Sequence, residues 1–209
     1  VGFAVDITDE NAIINNADHL IKIFGKIDGL VNNAANNPKL ESNNLVDFSR
    51  LENFPLKAWS EDISVGLTGA FLCSKHFGKK ISNNPNGGSI INISSDLGLI
   101  APDQNLYRKN GLEDSKQPVK PVTYSVIKSG LIGLTRYLAT YWSEQGVRSN
   151  ALSPGGIFLD QDDQFVKKLT SLIPMGRMAK KDEYRSAIQF LCSDASSYLN
   201  GQNVVMDGG

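Results

Sequence analysis

The chain has 209 residues, 41% of them hydrophobic and 21% charged, with a formal net charge of −1, which suits one domain with a sizeable core. That charge balance gives no footprint for nucleic acid or an anionic membrane, and no apolar run approaches a membrane span, so neither partner is expected. There is no signal-peptide pattern, and Cys73 and Cys192 both sit in apolar helical patterns, as reduced, buried thiols of a cytoplasmic protein would.

In chain order, VGFAVDI (1–7) is β-branched and apolar and reads as a strand. Thr8 and Asp9 offer an N-cap for a helix over 10–25, which Gly25 ends. DGLVNNA (28–34) is a short buried strand running into an Asn-rich turn, and 36–54 is a polar loop. Pro55 opens a long helix over 55–83 that stops at the NNPNGG turn (83–88). SIINISS (89–95) is a third strand, and the prolines and glycines of 100–121 make that stretch irregular. The amphipathic pattern of 122–146 is a second long helix, closed by Gly146. VRSNALSPGG (147–156) is a strand with its exit loop, 157–180 is loop with short helical patches, 182–193 is a helix, and NVVMDGG (203–209) is a last strand.

Strands alternating with helices predict an α/β fold, a doubly wound parallel sheet covered on both faces, in one domain spanning 1–209. Such folds bind ligands beyond the carboxyl ends of their strands. Asp6, the NNAA block (32–35), Ser94 to Gly98 and Ser153 to Gly156 all fall there.

Tyr124 and Lys128 lie one helical turn apart on one face of the helix over 122–146. Alone, that pair is a common coincidence. A free phenol is mostly protonated near neutrality, and a cation one turn away favours the phenolate, bringing the group towards acid/base work. A hydroxyl at Ser95, on the end of a strand facing the ligand crevice, can polarise a substrate oxygen. His19 and His76 stand without partners in the pattern, Asp162 and Asp163 read as loop solvation, and no metal site is expected.

Asp6, NNAA, Ser95, Tyr124 with Lys128, and Asn150 to Gly156 occur in the order and on the elements of one site. In this the chain resembles the short-chain dehydrogenase/reductase family over essentially its full length. The resemblance implies a Rossmann-like fold, NAD or NADP as cofactor, and Ser95, Tyr124 and Lys128 as catalytic residues, Lys128 also binding the nicotinamide ribose. It places Asp6 and Ile7 by the adenine, Asn33, Ala34 and Ala35 on the ribose side, and Pro154, Gly155 and Ile157 at the nicotinamide end. It further implies a homodimer or homotetramer built on the helices over 55–83 and 122–146.

The sequence departs from the family pattern in four places. VGFAVDI looks like the family's third strand, so the sheet is expected to lack the first two strands and their glycine-rich turn, and 1–7 to have no neighbour, as in a fragment. Gly66 in SVGLTG (64–69) stands where the family carries a catalytic Asn, and Leu159 where a Thr often contacts the cofactor. Ser95 and Tyr124 are 29 positions apart, more than the family's usual spacing, and the excess is the polar stretch 103–120.

That stretch is expected to form a loop over the site. Its Tyr107, Arg108 and Lys109 could clamp a polar or phosphorylated substrate, or could simply be solvated surface. The overall pattern is most similar to the family branch associated with flagellin modification and nonulosonic sugars, which implies an amino or phosphorylated sugar as substrate. A 3-oxoacyl-type carbonyl reductase and a degenerate, non-catalytic subunit are the other readings.

Overall fold

Neighbouring residues on a strand face opposite sides of a sheet, and the middle of this chain uses both sides. Ile90 packs with Ile81, Leu138 and Val147 on one face, while Ile91 packs with Leu152 and Leu191 on the other. The computed structural model describes residues 1–36 and 49–209; the part of the predicted loop at 37–48 lies outside the described residues. The elements are α1 (Glu10–Phe24), β1 (Gly29–Asn32), α2 (Leu56–Ile63), a π-helical turn (Ser64–Thr68), α3 (Gly69–Ile81), β2 (Gly88–Ile93), α4 (Val122–Tyr141), β3 (Val147–Pro154), α5 (Asp163–Thr170), α6 (Arg185–Cys192) and β4 (Asn203–Met206).

The four strands pair in parallel in the order β1-β2-β3-β4, as the alternating pattern predicts. Helices α3 and α4 cover one face and α6 the other, with α1 packed outside α3 through Ile13, Leu72 and Cys73. The expected Rossmann-like α/β architecture is present. Asp9 rather than Thr8 caps α1, its carboxylate accepting from the amides of Asn11 and Ala12, and Gly25 ends the helix at φ 78°.

The segment 1–7 is not a strand. Its apolar residues instead touch the α1–α3 layer through Val5 and Ile7, and the Asp6 carboxylate turns back on Thr8. A β-branched run becomes a strand only where a neighbouring edge offers ladder bonds, and among the described residues none is paired with it. Cys73 is buried as expected, but Cys192 is exposed: at the end of α6 the inward position belongs to Leu191.

The long helix over 55–83 is real but interrupted. At Ser64–Thr68 it widens, the Gly69 amide reaching back to the Ser64 carbonyl, one residue further than an α-helical bond. Gly66 is buried in that turn, where a Cβ would lie 2.8 Å from Cγ2 of Ile127 on α4. Glycine there lets the two helices approach. Replacing Gly66 by Ala should therefore lower stability by about 1–2 kcal/mol, overpacking outweighing the gain in helix propensity; an unchanged urea midpoint would refute that close packing.

Candidate active site

Reciprocal hydrogen bonds tie the exit of β2 to α4. Ser94 Oγ donates to the Lys128 carbonyl (2.7 Å), and Lys128 Nζ donates to the Ile93 carbonyl (2.8 Å). Ser129 Oγ donates to the Gly98 carbonyl (3.0 Å), and a Cβ on Gly98 would stand 2.9 Å from the Lys128 carbonyl carbon. The backbone can come this close only at a residue without a side chain. On the next turn of α4, Thr123 Oγ1 donates to Asp62 of α2 (2.6 Å). Held at both points, α4 brings the Tyr124 phenol near enough to the Ser95 hydroxyl for the serine to favour the phenolate. Ser95 Oγ also donates to Asp96 Oδ1 (2.6 Å) and accepts from the Leu97 amide (3.2 Å).

The electrostatics differ from the expectation drawn from the lysine alone. Burial holds the Tyr124 phenol above its ordinary pKa; the nearby Ser95 hydroxyl pulls the other way and the Asp96 charge adds to the rise. Lys128 Nζ lies 5.7 Å from the ring centroid, occupied by the Ile93 carbonyl. Burial, reinforced by the charge of Lys120, pulls Lys128 down to about 8.

Lys120 is the residue that the sequence reading missed. Its ammonium sits 3.6 Å from the centroid of the Tyr124 ring, within cation–π range. Burial pulls it too down to about 8, against the favourable charge of Asp96. Its signal is the spacing Lys120, Tyr124, Lys128, four residues each way. Because Lys120 precedes Pro121 and the start of α4 at Val122, the helical rule that pairs Tyr124 with Lys128 did not reach it.

The polar stretch 103–120 is built rather than loose. Gln117 is buried and closes it internally: its amide donates to the Lys109 and Leu112 carbonyls and its oxygen accepts from the Lys109 amide. The Lys120 amide donates to Gln104 Oε1 (2.8 Å). Tyr107 reaches the site: burial raises its pKa, and the charges of Tyr124 and Asp96 act on it. Arg108 does not come with it; its guanidinium pairs with Asp114, and Lys109 is exposed. Helix α5 docks on the same stretch, Lys168 Nζ donating to the Asn105 and Arg108 carbonyls and Phe165 meeting Tyr107 at 5.7 Å between ring centroids.

The residues expected to hold a cofactor lie mostly at the carboxyl ends of the strands. Asn33, Ala34 and Ala35 are exposed just past β1, whose last residue, Asn32, is buried and donates to Ser74 and Asn92. Pro154 ends β3, and Gly155 passes so close to β4 that a Cβ would lie 2.9 Å from Asp207 Cα. Ile157 bridges to Ala179, closing the base of the following loop. Asp6 has one carboxylate oxygen engaged by Thr8, and Ile7 rests against Gly69. Beside Gly155 a pocket of about 260 Å³ opens between Ile173, Met175, Tyr184 and Asp207, with Arg177 at its edge paired to Glu183. Small residues, open backbone and a buried lysine next to a phenol suit a flat, ribose-bearing cofactor.

The family model described as enoyl-(acyl carrier protein) reductase matches residues 1–209. The D-threitol dehydrogenase of Mycolicibacterium smegmatis is 32% identical over 213 residues, covering 100% of this chain and 72% of that protein. The fold superposes on a short-chain dehydrogenase from Leptospira borgpetersenii with bound NAD+ at a TM-score of 0.85 and 29% identity, covering 99% of this chain and 74% of that one. It also superposes on a gluconate 5-dehydrogenase from Burkholderia cenocepacia in complex with NADP and tartrate, at a TM-score of 0.82 and 26% identity, covering 98% and 72%.

The two lysines make stability depend on pH. An unfolded lysine keeps its proton to about pH 10.4, whereas Lys120 and Lys128 lose theirs in the folded protein at about 8. Between these values the unfolded chain binds more protons, so stability rises with pH. Urea midpoints should climb from pH 7.5 to 9.5 more steeply in the wild type than in a Lys120→Met, Lys128→Met double variant. Equal slopes would show that burial does not depress these lysines.

Proposed function

The chain belongs to the short-chain dehydrogenase/reductase family, and from that premise we propose that it interconverts a secondary alcohol and a ketone on a sugar or polyol derivative, with Tyr124 as acid/base. Members of this family are NAD- or NADP-dependent oxidoreductases. The observation that carries the reading is the convergence of Tyr124, Ser95 and Lys128 at the end of β2.

In this reading the substrate oxygen lies between the Ser95 hydroxyl and the Tyr124 phenol. Ser95 turns its one hydroxyl proton from Asp96 to that oxygen and polarises the carbonyl. Tyr124 gives its proton to the same oxygen in reduction and takes it back in oxidation. A nicotinamide held there would supply hydride chemistry at the adjoining carbon. Lys128 binds the ribose and favours the phenolate that proton transfer leaves behind. Asn33, Ala34 and Ala35 line the ribose side, Asp6 and Ile7 border the adenine, and Pro154, Gly155 and Ile157 hold the nicotinamide end.

A polar substrate is supported by what the stretch 103–120 delivers to the site: Tyr107 and a lysine, rather than an apolar slot for an acyl chain. That favours a sugar, as in the nonulosonic-sugar branch, over a 3-oxoacyl chain. The degenerate alternative rests on Gly66, which offers no amide side chain where the family has one. Among the described residues no helix is long and apolar enough to cross a membrane, and we place the protein in the cytoplasm. We also place it in a homodimer or homotetramer: Phe71, Val126, Tyr137 and Tyr141 are exposed on α3 and α4, Tyr137 and Tyr141 stacked on each other.

Tyr124→Phe should reduce kcat/KM on a panel of sugar alcohols and ketoses by about 10²–10⁴-fold while leaving cofactor binding measurable; turnover at the wild-type rate would remove Tyr124 from the chemistry. Replacing Tyr137 and Tyr141 together by Glu should lower the mass seen by light scattering to that of a smaller species. An unchanged mass would move the interface elsewhere.

A further inference from the structure

We propose that Lys120 is a recognition residue for a carboxylate on the substrate, so that the preferred substrates are hydroxy or keto acids of the polyol class, with the acid group close to the reacting carbon. The inference deepens the oxidoreductase reading and rests on it for the position of the reacting carbon.

The argument starts from charge. Lys120 and Lys128 both place their ammonium groups near Tyr124, 3.6 and 5.7 Å from its ring centroid, with Asp96 the carboxylate acting on Lys120. Asp96 does not form an ion pair with either lysine among the described residues. Its Oδ1 is taken by the Ser95 hydroxyl and the Leu97 amide. Two cations against one carboxylate that pairs directly with neither leave the site short of negative charge. Burying an ammonium without a counter-ion is costly, and both lysines register that cost in their lowered pKa. An anion arriving beside them would offset it.

The two lysines are not equivalent. Lys128 Nζ is already held by the Ile93 carbonyl, on the side where the ribose is placed. Lys120 has no hydrogen-bond acceptor of its own among the described residues; its contact is the aromatic face of Tyr124. The ammonium therefore keeps its donors for something else. It stands over the ring whose hydroxyl marks the reacting oxygen, within the reach of a carboxylate on a short carbon chain. Its position is fixed by structure rather than by chance contact: the Lys120 amide is held by Gln104, and Gln117 organises the preceding turn.

A phosphate is a poorer fit than a carboxylate. A dianion is best met by several donors or a guanidinium fork. The guanidinium groups that the neighbouring loops carry are engaged, Arg108 with Asp114 and Arg177 with Glu183. One ammonium matches one monovalent acid.

The test is a matched pair of ligands, D-gluconate and its neutral alditol D-sorbitol, with D-glucose 6-phosphate as the phosphate control. Their binding is measured by calorimetry on the wild type, Lys120→Met and Lys120→Arg, with NAD+ and separately with NADP+ present. Gluconate should bind the wild type about tenfold more tightly than sorbitol, as one hydrogen bond between charged groups allows. Lys120→Met should erase that ratio and Lys120→Arg should keep most of it, with thermal melts confirming that both variants are folded. The proposal is overturned by a ratio unchanged in Lys120→Met, by no binding of gluconate to the wild type, or by tighter binding of the phosphate ester. The underlying reading fails differently. If Lys120-dependent gluconate binding is present but no alcohol or ketone is turned over with either cofactor, the acid/base role of Tyr124 falls and the recognition role stands. If neutral polyols are turned over with no preference for acids, the reverse holds.

Discussion

The site depends on the seam between Lys128 and the end of β2. A lysine that reached only into solvent would leave the Ile93 carbonyl at the exit of β2 without this tie to α4. Here its ammonium ends on the Ile93 carbonyl while its own carbonyl accepts from Ser94, so strand and helix hold each other through one residue. The contact needs Gly98 at the crossing, since any Cβ would meet the Lys128 backbone. Once α4 is set there, the Tyr124 phenol meets Ser95. The chemistry of the site is a consequence of how a helix is locked to a strand.

Behind that seam lies a chain of buried polar groups. Asn32 of β1 donates to Asn92 of β2, Asn92 donates to Thr135 of α4, and Thr135 closes on the Leu131 carbonyl. Buried polar groups left unpaired are costly, but satisfied ones specify a single arrangement. Ser153 does similar work between β3 and β4 through Asn203. The interior is therefore not an interchangeable apolar filling: β1, β2 and α4 are in register because these side chains have only one way to be satisfied together. That precision is what a site assembled from the ends of separate strands requires.

The polar stretch between Ser95 and Tyr124 adds a second layer. It is organised by Gln117 from within and joined to α5 by Lys168 and by the Tyr107–Phe165 contact. Burial dominates the electrostatics beneath these two segments: the phenols of Tyr107 and Tyr124 rise and the ammonium groups of Lys120 and Lys128 fall. A bound anion would relieve the two lysines while holding the phenols protonated still more firmly.

Periodicity and punctuation in the chain determined the alternation of helices and strands, the parallel sheet, the position of Gly25 at the end of α1, and the grouping of Ser95, Tyr124 and Lys128 on elements that converge; the helix expected to run to Gly146 stops at Tyr141, and Gly146 closes a 3-10 turn beyond it. Those features are local, or follow from the few ways such elements can be connected. Tertiary structure decided the rest. Whether VGFAVDI forms a strand depends on a neighbouring edge, not on its own residues. Whether Cys192 is buried depends on which side of α6 meets the sheet, and Leu191 takes that side. Gly66 reads as a lost side chain in the sequence, yet in space it is the gap into which Ile127 fits. Lys120 lies outside the helix that carries Tyr124, so no helical rule pairs them; only the folding of the preceding loop sets its ammonium over the ring. Burial, which reverses the expected direction of the Tyr124 pKa, is a property of the packed chain and has no counterpart in the order of its residues.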